Sequence, residues 1–184
     1  MVEDPTGRLY ALFADLLEYP TPALSRQARG CAGRLGGVHS EAAALLDGFL
    51  HSVKGLSLER MEELYTSTFD MQPVCYPYVG YHLFGESYKR GAFMARLNEG
   101  YRQYGYSAGS ELPDHVAIAL RFLALGVLAR NADFGRALLC EGLVPTLGKM
   151  TKAFDDQTGN PYAAVISALL LVLTDEKEKE MGNA

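Results

Sequence analysis

The chain has 184 residues, 48% hydrophobic and 21% charged, ordinary proportions for a globular protein, and a chain of this length buries roughly 70% of the surface its unfolded form exposes, so folding requires neither disulfides nor metal. Its 17 basic and 22 acidic residues give a formal charge of −5, which repels a phosphate backbone and argues against nucleic acid as a partner. Three scattered cysteines, Cys31, Cys75 and Cys140, with no CxxC pair, exclude a disulfide framework or zinc ribbon and fit a reducing compartment.

In chain order, Met1-Val2-Glu3-Asp4-Pro5 lacks the basic region and apolar core of a secretory signal. Leu9, Leu12, Phe13, Leu16 and Leu17 recur at helical spacing and predict a first amphipathic helix, ended at Tyr19-Pro20 because the residue before proline avoids the helical region. Thr21-Pro22 reads as the cap and first position of the next helix. Gly30 to His39, with four glycines, reads as a loop. Ser40 and Ser57 each read as an N-cap. The first helix they cap carries Ala44, Leu45, Phe49 and Leu50, and the second carries Leu58, Met61, Leu64, Tyr65 and Phe69. Met71 to Val79, with two prolines, reads as irregular. A helix or helix pair follows from about Gly80 to Tyr104, broken near Gly85 or Gly91.

Leu112-Pro113 then opens a helix whose only charge from Val116 to Ala129 is Arg121. A helix apolar on every side belongs in the middle of a domain. Ala132 to Asp155 predicts two helical pieces split at Pro145. Asn160-Pro161 opens a last apolar helix to about Thr174, and the charged tail Asp175 to Ala184 reads as a frayed end. The longest uncharged apolar run, the eleven residues Ala163–Leu173, is too short for a transmembrane helix of about 20 residues. The expectation is an all-α chain, one domain over residues 1–184, built as a bundle of about eight to ten helices around the helix that begins at Pro113. Glycines inside proposed helices, Gly100, Gly126 and Gly148, each cost about 1 kcal/mol against alanine and call for close helix approach or an unplaced break.

Catalytic patterns are absent: there is no GxSxG, no GxxxxGK[ST], no HExxH and no GxGxxG. His82 with Glu86, and Glu111 with Asp114 and His115, are the only groupings from which a metal-dependent helical hydrolase could be drawn, and no Glu-x-x-His pair of the di-iron kind accompanies them. The cluster Glu111-Leu112-Pro113-Asp114-His115 also has a plain structural account, with Pro113 at the first helical position and Asp114 in the first turn, favoured by the helix dipole. Eight of the eleven tyrosines fall between Tyr65 and Tyr106. Tyrosine combines apolar area with a hydroxyl that needs a partner, which suits both a core edge and a binding surface. Taken alone, these residues define a soluble helical binding module.

Three stretches carry a more specific signal: Tyr65-Thr66-Ser67-Thr68-Phe69-Asp70; Tyr78-Val79-Gly80-Tyr81-His82-Leu83-Phe84-Gly85-Glu86 followed by Arg90-Gly91; and Glu111-Leu112-Pro113-Asp114-His115 before an apolar helix. In this order and spacing the chain resembles the nitrate-reductase delta-subunit family, part of the wider group of redox-enzyme maturation chaperones. The resemblance runs from about Leu9 to Leu173 and implies an all-helical fold. It also implies a cytoplasmic, non-catalytic chaperone without a cofactor of its own, monomeric or weakly dimeric and not inserted in a membrane. Such a protein binds the N-terminal leader of a molybdopterin oxidoreductase catalytic subunit and holds that subunit while the molybdenum cofactor is inserted. The resemblance places leader binding at Glu111, Pro113, Asp114 and His115, with Tyr65, Phe69, Tyr78, Tyr81 and His82 as neighbours. A basic, apolar leader wants an apolar groove with acidic residues at its rim. The competing readings are the metal-dependent hydrolase on His82, Glu86, Asp114 and His115, and a scaffold subunit that stays in a redox complex.

Overall fold

The structure is a computed structural model that describes residues 5–128, 133–157 and 159–182. The readings that fall on residues 1–4, on Ala129 and Ala132 and on the last two residues lie outside these. The elements are α1 (Pro5–Leu16), α2 (Leu24–Leu35), α3 (Ser40–Ser52), α4 (Leu58–Phe69), α5 (Val79–Phe84), α6 (Tyr88–Gln103), α7 (Val116–Leu123), α8 (Asp133–Ala137), a π-helical turn (Leu138–Leu143), α9 (Val144–Ala153) and α10 (Tyr162–Gly182). No strand occurs among the described residues, so the all-helical expectation holds.

The apolar faces read from the sequence for α1, α4 and α10 are the ones that pack, whereas on α3 Ala44 is exposed, Leu45 and Leu50 are half-buried, and the buried face is Ala42, Ala43, Leu46 and Phe49. Phe13 and Leu16 of α1 and Leu17 just beyond it, Leu46 and Phe49 of α3, Leu120 and Phe122 of α7, and Val165 and Leu169 of α10 are all fully buried in one continuous core. The middle of that core is α7, every residue of which is buried except Arg121. Arg121 reaches back to α1 and its following turn, donating to Asp15 at 2.8 Å and to Glu18 at 2.7 and 3.1 Å. The one charge on the central helix is thereby neutralised at its edge. Tyr65 of α4 is pinned to the same turn, its hydroxyl donating to the Leu17 carbonyl at 3.0 Å.

Several boundaries differ from the sequence reading, each for a local reason. Gly30 and Gly33 lie inside α2 rather than in a loop, because Ala28, Cys31, Ala32 and Leu35 around them keep a helical face that is buried. Helix α2 starts at Leu24, not at Pro22, and Thr21 accepts from the Ala23 amide in the preceding turn. Ser57 does cap α4, accepting from the Arg60 amide at 3.4 Å, whereas Ser40 is the first residue of α3 and His39 precedes it. The α5–α6 break falls at Gly85, whose φ of +64° only glycine adopts freely. The central helix begins at Val116 rather than at Pro113, and its chain turns away at Gly126 with φ +72°. Pro145 does not split its helix. The π turn just before it shifts the hydrogen-bond register, so that proline enters the first turn of α9, where its missing N–H is harmless. The charged tail is not frayed up to Gly182, because α10 carries it as helix and ties it down through Asp175 to His39 at 3.0 Å and Glu180 to Arg136 at 3.3 Å.

The glycines test this packing. A Cβ at Gly100 would lie 2.3 Å from the Phe134 ring, while one at Gly148 would meet nothing within 4 Å. Gly148→Ala should therefore stabilise by up to about 1 kcal/mol through helix propensity, and Gly100→Ala should destabilise by about 1–3 kcal/mol through overpacking. Urea denaturation of the two variants checks both signs.

Candidate functional site

The segment between α4 and α5 runs extended past the turn that precedes α7. Two backbone hydrogen bonds join them: the Val79 amide donates to the Asp114 carbonyl at 2.7 Å and the Val116 amide to the Pro77 carbonyl at 2.8 Å. They make an isolated antiparallel bridge between Tyr78 and His115. Beneath the bridge lies a buried ion pair. The Asp114 carboxylate is fully buried, and Arg90 of α6 donates to it twice, Nε to Oδ2 at 2.9 Å and Nη2 to Oδ1 at 3.3 Å. The Arg90 guanidinium also sits 5.1 Å from the centroid of the Tyr78 ring, a cation–π contact. Gly80 makes room for this arrangement, since a Cβ there would stand 2.7 Å from Asp114 Oδ2 and 3.0 Å from Arg90 Cγ. Tyr101 completes the support, its hydroxyl donating to the Pro113 carbonyl at 2.9 Å.

Above the bridge opens a cleft of about 520 Å³. Its aromatic walls are Tyr19 after α1, Tyr65 and Phe69 of α4, and Tyr76 and Tyr78 of the extended segment. Its carboxylates are Glu18, Asp70 and Glu111, and no lysine or arginine lines it. Glu18 is already engaged by Arg121, so the field on an occupant comes mainly from Asp70 and Glu111, both exposed. Glu111 accepts from the Leu112 amide at 2.7 Å and from the Tyr78 hydroxyl at 3.4 Å. Burial and the adjacent Glu111 carboxylate raise the Tyr78 pKa, so its hydroxyl stays a neutral donor. Tyr19 is 55% exposed and is shared with a shallower neighbouring groove whose acidic side is Glu59, Glu62 and Glu63 on the outer face of α4.

His115 is the N-cap of α7. Its Nδ1 accepts from the Ala117 amide at 3.0 Å, the residue is only 4% exposed, and it lines the cleft. Burial lowers its pKa, against an opposing pull from Glu111, Glu18 and Asp114.

Of the nine residues expected at the site, Glu111, His115, Tyr65, Phe69 and Tyr78 line the cleft. Pro113 and Asp114 are buried behind it and present no surface to a partner. Asp114 therefore sits neither in the first turn of α7 nor at a rim; the bridge draws it inward to Arg90. Tyr81 packs on Tyr76 with ring centroids 4.4 Å apart, and His82 Nε2 lies 2.7 Å from the Tyr76 carbonyl, so both brace the wall without forming it. Sequence reasoning missed Glu18, Tyr19, Pro77 and Ile118, which come from turns and a helix whose proximity only the fold reveals, and it quoted Asp70 and Arg90 without assigning them. The hydrolase constellation does not assemble: His82, Asp114 and His115 are each committed to other protein atoms, and the described residues contain no group of three or more His, Cys, Asp or Glu able to hold a metal. No helix among them is long and apolar enough to cross a membrane.

The all-helical arrangement is that of a protein provisionally described as a redox enzyme maturation protein from Archaeoglobus fulgidus, whose crystal structure superposes with a TM-score of 0.61 at 24% identity over 91% of this chain and 93% of that one. No curated protein sequence matches the chain. The family model described as nitrate reductase delta subunit matches residues 37–165, and the chain belongs to that family.

Two outcomes follow from the site's electrostatics. Asp114→Asn strips a buried charge from its partner and should cost about 3–5 kcal/mol, whereas Glu111→Gln, at an exposed position, should cost less than about 1 kcal/mol; chemical denaturation separates them. His82 and His115 both have pKa values lowered from 6.5, chiefly by burial. The unfolded chain therefore takes up protons first as pH falls below 6.5, and stability is full above that value and declines beneath it. Urea midpoints measured down to about pH 5 should show this decline, and His115→Asn, which keeps a side-chain oxygen to cap α7, should make it shallower.

Proposed function

We propose that this chain is a redox-enzyme maturation chaperone that binds the N-terminal leader region of a molybdoenzyme catalytic subunit, of nitrate reductase or a relative, in the cleft over the Tyr78–His115 bridge. It holds that subunit in the cytoplasm while the molybdenum cofactor is inserted and before membrane attachment or export, and it catalyses no reaction itself. Family membership supports the class of function. One observation carries the assignment of the site: the three stretches that bear the family resemblance converge, from positions far apart in sequence, on one open cleft with aromatic walls and unopposed carboxylates. The physics suits a short basic and apolar segment. Apolar side chains of the leader replace water against Tyr65, Phe69 and Tyr76, at roughly 25 cal/mol for each Å² buried. Basic side chains meet Asp70 and Glu111 at the rim, which contributes more to orientation and association rate than to affinity.

Calorimetric titration with synthetic N-terminal peptides from molybdopterin-enzyme catalytic subunits of the source organism tests the proposal. Wild-type chain should bind at least one of them. Tyr19→Ala removes an exposed ring that packs edge-on against Tyr65 at 5.5 Å and should weaken binding about tenfold, close to 1.4 kcal/mol, while leaving the fold intact. The double variant Asp70→Asn, Glu111→Gln should lose most of the salt dependence of binding. Absence of binding to every such peptide by correctly folded protein would overturn the proposal.

A further inference from the structure

Between α6 and the π turn lies a second apolar groove, which shares no residue with the cleft. It holds about 380 Å³, and its walls are Leu83, Phe84, Phe93, Leu97, Phe134 and Leu138. Phe84 is 38% exposed at the end of α5, and its ring packs on Phe93 with centroids 5.4 Å apart. Only Leu97, Gly100 and Tyr101 of α6 are buried. Tyr88 of the same helix is 84% exposed, and Gly91, Ala92 and Ala95 are exposed small residues that would let another surface come close. Apolar surface gathered in this way marks an interaction site. Part of the wall is the π turn, a form frequent at functional sites.

Two charges line the groove, Arg96 from α6 and Glu141 from the π turn. Both are exposed, and among the described residues neither side chain has a hydrogen bond or an ion pair. A basic peptide would gain from Glu141 what it loses to Arg96, so the groove lacks the preference for cations that Asp70 and Glu111 give the cleft. A partner that fits brings apolar side chains together with one cation and one carboxylate in the reciprocal arrangement. A second copy of this chain brings that set, because across a two-fold axis each contact of one residue with another is repeated in reverse.

We propose that this groove is the interface of a two-fold homodimer, in which Arg96 of each protomer pairs with the partner's Glu141 while the apolar walls close on one another. The charge of −5 on each copy opposes association on average, so the attraction is local. Apolar burial supplies the affinity, and the two reciprocal ion pairs set the register. The interface takes none of the residues that the peptide reading needs.

Sedimentation velocity of the full chain over a concentration series tests this. Wild type should pass from monomer to dimer below about 0.1 mM. Arg96→Glu sets carboxylate against carboxylate at both ends of the interface, and Glu141→Arg sets cation against cation. Each should raise the dimer dissociation constant at least about tenfold. The double variant Arg96→Glu, Glu141→Arg restores opposite charges across the axis and should return to within about threefold of wild type. An equimolar mixture of the two single variants should form a heterodimer, since every reciprocal contact then joins a carboxylate to a cation. Both positions are exposed, so helical circular dichroism should be unchanged in every variant and a lost dimer is not a lost fold. Single variants that dimerise as tightly as wild type, or a double variant and a mixture that stay monomeric, overturn the inference. Monomeric wild type overturns it too; if α6 and the π turn then gain amide protection only when a catalytic subunit is added, the groove belongs to the client. None of these outcomes bears on peptide binding in the cleft, which its own titration tests.

Discussion

The ion pair between Arg90 and Asp114 is the constraint on which the site is built. A carboxylate with no exposure at all cannot remain charged without a partner of this quality, and the bidentate guanidinium supplies it. To meet Arg90, Asp114 must turn inward; its own carbonyl then faces the Val79 amide and the bridge forms. The bridge sets Tyr78 over the guanidinium and turns the His115 ring toward the cleft. Gly80 is demanded by the same pair, since any side chain there would occupy the carboxylate's place. Such a pair adds little net stability compared with well-packed apolar groups. What it contributes is registry: α6, the extended segment and the start of α7 have one relative position in which no buried charge is orphaned.

On that frame the tyrosines divide into two kinds. Tyr65, Tyr101 and Tyr106 spend their hydroxyls on the backbone carbonyls of Leu17, Pro113 and Ile118, tying α4, α6 and the loop after it to their neighbours. Tyr19, Tyr76 and Tyr78 line the cleft, and Tyr65 serves both purposes, since it lines the cleft as well. The acidic residues divide in the same way. Asp15 and Glu18 answer Arg121, and Asp114 answers Arg90, whereas Asp70 and Glu111 remain open to an occupant. A second groove between α6 and the π turn, lined by Phe84, Phe93, Leu97 and Phe134, is more apolar, and its single carboxylate, Glu141, is accompanied by the cation Arg96, so it is a poorer match for a basic leader.

Helical periodicity made most of this fold legible in the sequence, because 3.6-residue spacing of Leu, Phe and Val reports a buried face wherever the helix is long. It worked for α1, α4 and α10 and for the apolar character of α7; on α3 it found the helix but placed the buried face about two residues away from Ala42, Ala43, Leu46 and Phe49. It fell short where local chemistry is overridden by packing: the buried face of α2 carries helix through two glycines, a π turn lets α9 absorb Pro145, and the charged end of α10 stays helical because His39 and Arg136 hold it. The site was legible as a set of residues but not as an arrangement. Asp114 beside a helix start suggests a dipole or rim carboxylate, and only its distance to Arg90, twenty-four positions earlier, assigns it to the interior. Glu18 and Tyr19 carry no signal of their own, since a helix end next to proline looks the same whether or not a cleft opens beside it.

Amide hydrogen exchange of the chain with and without an N-terminal leader peptide, or with the catalytic subunit that bears it, reads the occupied surface directly. Occupation of the cleft gives new protection at residues 65–79 and 111–118, where α4, the extended segment and the turn before α7 meet. Protection confined instead to α6, α8 and the π turn, with residues 65–79 and 111–118 unchanged, would contradict it and move the client to the groove between α6 and the π turn.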